Sequence, residues 1–187
     1  MFKNSVQWNI DYKPEEIQAE SIKGLLMSQR WITFGRDKKG RATLIVRPRF
    51  HTVDEFPMDQ MLRYGIFMVE KAIRLTESYG HKQYVVILDR HGVQRSNQDL
   101  KFMQNFVNIT QGNYPERMGM VCIVELGWLF KIGFAVVKNF LSKRTVEKIK
   151  LLNTHADLKQ YFDEDQLMKE HSGTSEWVYD GAKEYGF

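Results

Sequence analysis

Side chains that commonly carry chemistry are few in this chain, which has five histidines and one cysteine among 187 residues. The histidines are His51, His81, His91, His155 and His171. Their spacing does not match that of metal ligands, so we expect surface or turn positions for them and no metal site. Cys122 lies inside an apolar stretch with no basic loop following it, so a reactive thiol is not expected. Asp89 follows an apolar run, where catalytic acids often lie in α/β folds, but without a partner motif nearby a turn or cap role is favoured.

Motifs of common enzyme classes are also missing from the sequence. It has no Gly-x-Ser-x-Gly elbow, no Gly-Lys-Ser/Thr phosphate-binding loop and no His-Glu-x-x-His zinc motif. Its aromatic residues do not alternate with basic ones as they do in a nucleic-acid-binding surface. We therefore expect a non-enzymatic protein that has no catalytic residues, uses no cofactor and does not bind nucleic acid.

The composition predicts a globular, cytoplasmic protein with a substantial core. Hydrophobic residues make up 43% of the chain and aromatic residues 13%. A single cysteine excludes an internal disulfide framework and fits a reducing compartment. The chain has no run of about 18 apolar residues and no secretion signal after Met1. Nine methionines and twelve phenylalanines fit either an ordinary phenylalanine-rich core or a core that surrounds a flexible apolar guest.

Charge is distributed unevenly along the chain, although the net charge is only +4. Between Lys138 and Lys150 five basic residues face one acid, Glu147, whereas eight acids and three bases follow from Asp157 onward. A basic block beside an apolar stretch can meet anionic lipid or nucleic acid. A solvated helix face is the commoner explanation, and both remain open here.

Hydropathy patterns predict alternating strands and helices. The predicted strands are residues 31–34, 43–46, 84–88, 121–124 and 150–152, the first two forming a hairpin through the turn 37–41. The predicted helices are residues 58–78, 97–110, 127–141 and 156–161, the last followed by an acidic tail. In the second helix Leu100, Met103 and Val107 are expected to face inward. This order predicts an α/β fold with a mostly parallel central sheet.

The segment 127–141 is unusual because it has hardly any polar face. Its large apolar residues include Trp128, Phe130, Phe134, Val137 and Phe140. A helix that is apolar on all sides is either buried or apposed to lipid. The pattern alone leaves both interpretations open: a core helix, or a lid over a ligand or against a membrane.

Several motifs resemble those of CRAL-TRIO domains, the fold of the secretory-pathway phosphatidylinositol transfer proteins. They are Ile87-Leu88-Asp89-x-x-Gly92, Asn113-Tyr114-Pro115-Glu116-Arg117-Met118-Gly119, Trp128-Leu129-Phe130, Val137-Lys138-Asn139-Phe140-Leu141-Ser142 and Thr145-Val146-x-Lys148-Ile149. The turn Asp37-Lys38-Lys39-Gly40-Arg41 extends the resemblance upstream. The resemblance implies a mixed, mostly parallel sheet flanked by helices, with an apolar lipid pocket that the segment 127–141 closes as a gate helix.

The resemblance also implies a lipid site. Glu116, Thr145 and Lys148 match the positions that hold an inositol headgroup in this family. A lysine can donate a charge-assisted hydrogen bond to the phosphodiester, and a carboxylate can accept hydrogen bonds from ring hydroxyls. The alternative is a structural ion pair between Glu116 and Lys148 in an empty or differently filled pocket.

The implied function is binding and transfer, or presentation, of a phospholipid at membrane surfaces, most plausibly phosphatidylinositol. Membrane contact would be peripheral and reversible. Two other functions stay open: a scaffold that acts with small GTPase signalling, and a carrier of an isoprenoid or a sterol-like molecule. Exposed apolar surface could also support self-association or a protein partner.

The sequence departs from the family pattern at several places. Tyr84 and Val86 stand where phosphatidylcholine-carrying members have small hydroxyl residues, which argues against choline lipids. Ala42 replaces a common proline, and His171 lies in a segment that often reads Leu-Pro-x-x-Tyr-Gly-Gly. The chain starts near Trp8, where the family's helical domain usually finishes. We therefore expect a single domain over residues 1–187 with that N-terminal domain essentially absent.

Overall fold

A five-stranded sheet forms the centre of the protein, whose computed structural model describes residues 2–126, 134 and 138–187. The strands are β1 (Trp31–Arg36), β2 (Ala42–Val46), β3 (Tyr84–Asp89), β4 (Met118–Val124) and β5 (Ile149–Leu151), adjacent in that order. The β1–β2 pair is antiparallel, and the other three pairs are parallel. The predicted mixed, mostly parallel sheet is confirmed.

The β1–β2 hairpin is fixed by the turn that the sequence predicts. One carboxylate oxygen of Asp37 accepts hydrogen bonds from the backbone N–H groups of Lys39, at 3.1 Å, and Arg41, at 2.9 Å. The other oxygen binds the Arg41 guanidinium at 2.6 Å. Gly40 has a φ of +79°, a left-handed conformation that glycine adopts without steric cost.

Six α-helices surround the sheet. They are α1 (Phe2–Tyr12), α2 (Lys23–Met27), α3 (Met58–Ser78), α4 (Leu100–Asn113), α5 (Lys143–Glu147) and α6 (Gly181–Tyr185) among the described residues. Helix α3 has the predicted bounds, and nine of its residues are buried. Gly80, with a φ of +81°, follows its end. A Cβ on Gly65 would lie 2.6 Å from the Phe106 ring, so glycine is needed where α3 and α4 cross.

Helix α4 packs less completely than α3. It begins at Leu100 because the carboxylate of Asp99 accepts the backbone N–H of Phe102 at 2.8 Å, an N-cap contact. None of the residues of this fully described helix is buried. Phe102 and Phe106 stack on each other and face Trp31, which sets the inward face of the helix. The predicted inward position of Leu100 is wrong, because this first helical residue is 48% exposed.

The opposite face of the sheet is covered by the C-terminal segment. This segment contains the 3₁₀ helices His155–Gln160, Glu164–Gln166 and Lys169–His171. The predicted helix 156–161 is thus a 3₁₀ helix, and the acidic tail folds back onto the sheet. Its buried apolar side chains include Leu158, Phe162 and Leu167. Each such side chain contributes about 1.5–3 kcal/mol when fully buried, which is enough to hold an otherwise acidic segment on the sheet. The net charge of the segment therefore does not indicate how it packs.

Cys122 lies in the middle of β4 and is fully buried on the face that the C-terminal segment covers. Burial raises the pKa of its thiol to about 12. The burial and the raised pKa support the prediction of an unreactive thiol. Within the described ranges, we find no helix with the length and apolarity needed to cross a bilayer.

Candidate functional site

Glu116 lies in the short loop that connects α4 to β4, and contacts on both sides hold this loop. The Tyr114 hydroxyl donates to a carboxylate oxygen of Glu70 on α3 at 2.6 Å. Burial and this neighbouring carboxylate raise the pKa of Tyr114. The Gln83 side chain donates to the backbone carbonyl of Glu116 at 3.0 Å. Glu116 has a φ of +60°, which is uncommon for a residue with a side chain.

Lys148 and Thr145 belong to the segment that leads into β5. The hydroxyl of Ser142 accepts the backbone N–H of Thr145 at 3.2 Å and so caps α5. Gln111 on α4 accepts hydrogen bonds from the Ser142 backbone N–H, at 2.6 Å, and the Thr145 hydroxyl, at 3.3 Å. Lys148 follows the last residue of α5. The α4–α5 contact therefore places this segment beside the Glu116 loop.

Glu116 meets two cations, one at each carboxylate oxygen. The ammonium of Lys148 lies 3.0 Å from one oxygen, and the guanidinium of Arg144 lies 3.1 Å from the other. Lys148 also donates to the Met118 carbonyl at 2.9 Å. Contact with Lys148, and then with Arg144, lowers the pKa of Glu116. We refer to Glu116, Arg144 and Lys148 as the Glu116 cluster.

The structure brings Glu116 and Lys148 together, as their predicted common site requires. Thr145 lies on α5, just before Lys148, but its hydroxyl bonds to Ser142 and Gln111. Arg144 is a partner of Glu116 that we do not predict from the sequence, where it is only one of the basic residues between Lys138 and Lys150. Its exposed position gives no hydrophobic pattern that could have singled it out. The headgroup role of these residues stays a prediction.

Most of the predicted gate helix lies outside the described residues. This is so for Trp128, Phe130 and Val137. Phe134 is half-buried, and Phe140 ends the 3₁₀ helix Lys138–Phe140, although its side chain is not described. The gate and the apolar lipid pocket beneath it therefore stay predictions.

A groove of about 550 Å³ lies at another part of the molecule, beside β1, α3 and the C-terminal segment. Thr33, Leu75, Tyr79 and Trp177 are among the residues that line it. Within the described part of the chain, the lining includes no member of the Glu116 cluster. This groove is consequently not the pocket that the sequence predicts.

A second polar cluster surrounds Asp89, at the end of β3. One carboxylate oxygen of Asp89 accepts the backbone N–H of His91, at 3.0 Å, and lies 2.9 Å from Nε2 of His155. The other oxygen contacts the Arg49 guanidinium and lies 3.3 Å from Nε2 of His171. Burial alone would raise the pKa of Asp89, but these hydrogen bonds outweigh it and lower that pKa. Contact with Asp89 in turn raises the pKa of His155.

This cluster corrects the prediction that the histidines take only surface or turn positions. His171 is fully buried, and the His155 side chain is 13% exposed. Both meet Asp89, although they lie 66 and 82 residues from it along the chain. Such separations leave no ligand-like spacing in the sequence. The turn role predicted for Asp89 is confirmed by its contact with His91, but it is only part of what Asp89 does.

The family model of the CRAL/TRIO domain matches residues 26–173 of this chain. That range covers the whole sheet and both polar clusters. The chain belongs to the CRAL/TRIO domain family. The resemblance seen in the sequence motifs is thereby confirmed.

Curated proteins and a solved structure agree with membership of this CRAL/TRIO family. A CRAL-TRIO domain-containing protein of Schizosaccharomyces pombe is 28% identical over 146 residues, covering 78% of this chain and 33% of that protein. The phosphatidylinositol transfer protein CSR1 of Eremothecium gossypii is 26% identical over 193 residues, covering 97% of this chain and 44% of that protein. The chain thus spans less than half the length of these two relatives.

The crystal structure of Sfh5 has the same fold as this CRAL/TRIO chain. The TM-score is 0.75 at 18% sequence identity, covering 94% of this chain and 64% of that chain. The fold is therefore shared.

Proposed function

We propose that this CRAL/TRIO chain binds one phospholipid, with phosphatidylinositol as the favoured species, and transfers or presents it at membrane surfaces without catalysing a reaction. The observation that carries this proposal is the Glu116 cluster, which pairs a carboxylate with two cations in the family-matched region. Support also comes from a relative that is named a phosphatidylinositol transfer protein. The activity of that longer protein is part of the proposal.

The chemistry of the Glu116 cluster matches both parts of an inositol phosphate. Lys148 and Arg144 can donate charge-assisted hydrogen bonds to phosphodiester oxygens. The Glu116 carboxylate can accept hydrogen bonds from the ring hydroxyls. In the structure Glu116 binds Lys148 and Arg144. A bound headgroup would replace these contacts: its phosphate would take the place of the carboxylate beside the two cations, and its hydroxyls would take the place of the cations beside Glu116.

Exposure of the cluster favours a ligand role over a structural one. The side chains of Glu116 and Arg144 are 57% and 81% exposed. Ion pairs this exposed contribute little to folding, because water and salt screen them. Separating them to admit a headgroup therefore costs the fold little.

The acyl chains of a phospholipid need apolar surface, and α4 offers it. Its Met103 and Val107 are only half-buried, and Leu151 on β5 is 49% exposed. Each methylene removed from water contributes about 0.8 kcal/mol, so an acyl chain would gain from covering such groups. Tyr84 and Val86 lie on the sheet face beneath α3 and α4 in place of small hydroxyl residues, which disfavours phosphatidylcholine.

A transfer assay with matched lysine variants tests the proposal. Lys148→Ala should reduce phosphatidylinositol transfer between vesicles about tenfold or more, because a charge-assisted hydrogen bond is lost. Lys143→Ala, which removes an exposed lysine at the start of α5 outside the cluster, should leave transfer nearly unchanged. Both variants should keep the wild-type Tm.

Two outcomes would contradict this function. If Lys148→Ala lowers Tm and leaves transfer intact, the Glu116–Lys148 contact is a structural ion pair. If native mass spectrometry finds no stoichiometric phospholipid after incubation with mixed vesicles, lipid carriage itself fails. A bound isoprenoid or sterol would instead support the alternative carrier function.

A further inference from the structure

The carboxyl end of the parallel strands gathers several possible metal ligands at one edge of the sheet. Asp89 ends β3, Glu125 follows β4, and His155 lies four residues after the end of β5. The C-terminal segment brings His171 to the same place. This edge is where α/β sheets commonly bind ligands.

The donor atoms of three of these residues face one another. One oxygen of Asp89, a ring nitrogen of His155 and a ring nitrogen of His171 all lie within 4.8 Å of each other. Nε2 of His155 lies 2.9 Å from one Asp89 oxygen, and Nε2 of His171 lies 3.3 Å from the other. A tetrahedral ion with bonds of about 2.0–2.1 Å holds its ligand atoms about 3.3 Å apart. Donor atoms that already lie within 4.8 Å of one another can reach that spacing through small side-chain movements.

The remaining ring nitrogen of His155 fits metal ligation as well. Nδ1 of His155 lies 3.5 Å from a carboxylate oxygen of Glu125, the arrangement in which an outer carboxylate orients a metal-binding imidazole. Nδ1 of His171 is buried and has no hydrogen-bond partner among the described residues. The fully buried His171 is thus held through Nε2, the nitrogen that faces Asp89.

We propose that Asp89, His155 and His171 form a three-ligand site for a divalent transition-metal ion. Two imidazoles and one carboxylate are a ligand set that suits zinc and other first-row ions, with at least one coordination position left for water. The ion would tie the edge of the sheet to the C-terminal segment. The lipid-binding function does not require this site, and the site does not depend on that function.

Arg49 opposes the ion and so limits its affinity. Its guanidinium contacts the Asp89 oxygen that faces His171, and it also reaches Glu170 at 2.9 Å. A divalent cation must share Asp89 with this positive charge. Replacing the charge by Arg49→Gln should therefore tighten metal binding, the opposite of the effect of removing a ligand.

Zinc titration of the full chain, after treatment with a chelator, tests the site. We expect one Zn²⁺ per chain by calorimetry, and visible d–d absorption of tetrahedral type when Co²⁺ replaces it. His155→Ala, and His171→Phe, which keeps a buried aromatic ring, should each weaken binding by at least about 100-fold. Glu125→Gln should weaken it about tenfold, as the loss of an outer carboxylate does.

His81→Ala is the matched control, because it removes a histidine outside the cluster and should leave affinity unchanged. Thermal unfolding without metal confirms that each variant is folded. The proposal is overturned if the wild type binds no Zn²⁺ at about 100 µM, or if His155→Ala and folded His171→Phe bind it as tightly as the wild type. Equal loss in His81→Ala would likewise overturn it, since it would indicate zinc on scattered surface histidines.

Discussion

Two carboxylates at opposite ends of the parallel strands each hold several hydrogen-bonding partners, but in contrasting environments. Glu116 lies before β4 and is largely exposed, with Lys148 and Arg144 as partners. Asp89 is the last residue of β3, at the carboxyl end of the parallel strands. Its side chain is 2% exposed and lies between Arg49, His155 and His171. In both cases hydrogen bonds from these partners lower the carboxyl pKa, and for Asp89 they do so against burial, which alone would raise it.

The contrast shows how burial decides what an ion cluster can do. Water screens the Glu116 contacts, so a ligand can replace them at small cost. Asp89 has lost most of its water, so its partners must stay in place or be replaced by another cation. The exposed cluster is therefore suited to exchange and the buried one to permanent binding.

Removing the buried charge should have the largest effect. Asp89→Asn leaves Arg49 and two histidines without their common carboxylate, so the free energy of unfolding should fall by about 3 kcal/mol. Chemical denaturation in chelator-containing buffer measures this loss. Glu116→Gln is the control and should unfold at nearly the wild-type denaturant concentration. Similar losses in the two variants would show that burial does not separate the clusters.

Salt should separate the clusters by a smaller effect. Raising NaCl from about 0.1 M to 1 M shortens the screening distance from about 10 Å to 3 Å. The carboxyl ¹³C shift of Glu116 should then move toward its value in Lys148→Ala, whereas the shift of Asp89 should stay constant. Equal movement of both signals would indicate that solvent reaches Asp89 as readily as Glu116.

The smallest effect is expected in the titration of Glu116 itself. Its pKa is lowered, so its pairing with Lys148 is complete above the ordinary glutamate pKa and is lost as the pH falls through the lowered value. In an NMR titration, Lys148→Ala should raise this pKa more than Arg144→Ala does, because Lys148 is the stronger influence. The reverse order would show that Arg144 is the main partner.

Local patterns were sufficient to predict much of the fold. The apolar runs that became β3 and β4 are sandwiched between two layers, so nearly every position had to be apolar. Helix α3 has one buried stripe and a glycine after its end, and both leave a clear trace in the sequence. Helix α4 is harder to predict, because its mostly apolar, half-buried surface gives only a weak helical period of hydrophobic residues. The predicted inward position of Leu100 is wrong for this reason.

The two clusters differ in the same way. Glu116 and Lys148 lie in motifs that the family resemblance covers, so their common site could be predicted from the sequence. Asp89, His155 and His171 meet only because the C-terminal segment folds back over the sheet. That packing depends on scattered apolar contacts far from the histidines, so the spacing of these residues along the sequence does not predict that they meet.

Cys122 can report how often the C-terminal segment opens. Its thiol lies in the central part of β4 between β3 and β5, beneath the C-terminal segment, and is fully buried. A modifying reagent can reach it only while that cover is open, so the rate of alkylation reports how often opening occurs. Whatever binds at either edge of the sheet and slows this opening will lengthen the lifetime of the free thiol.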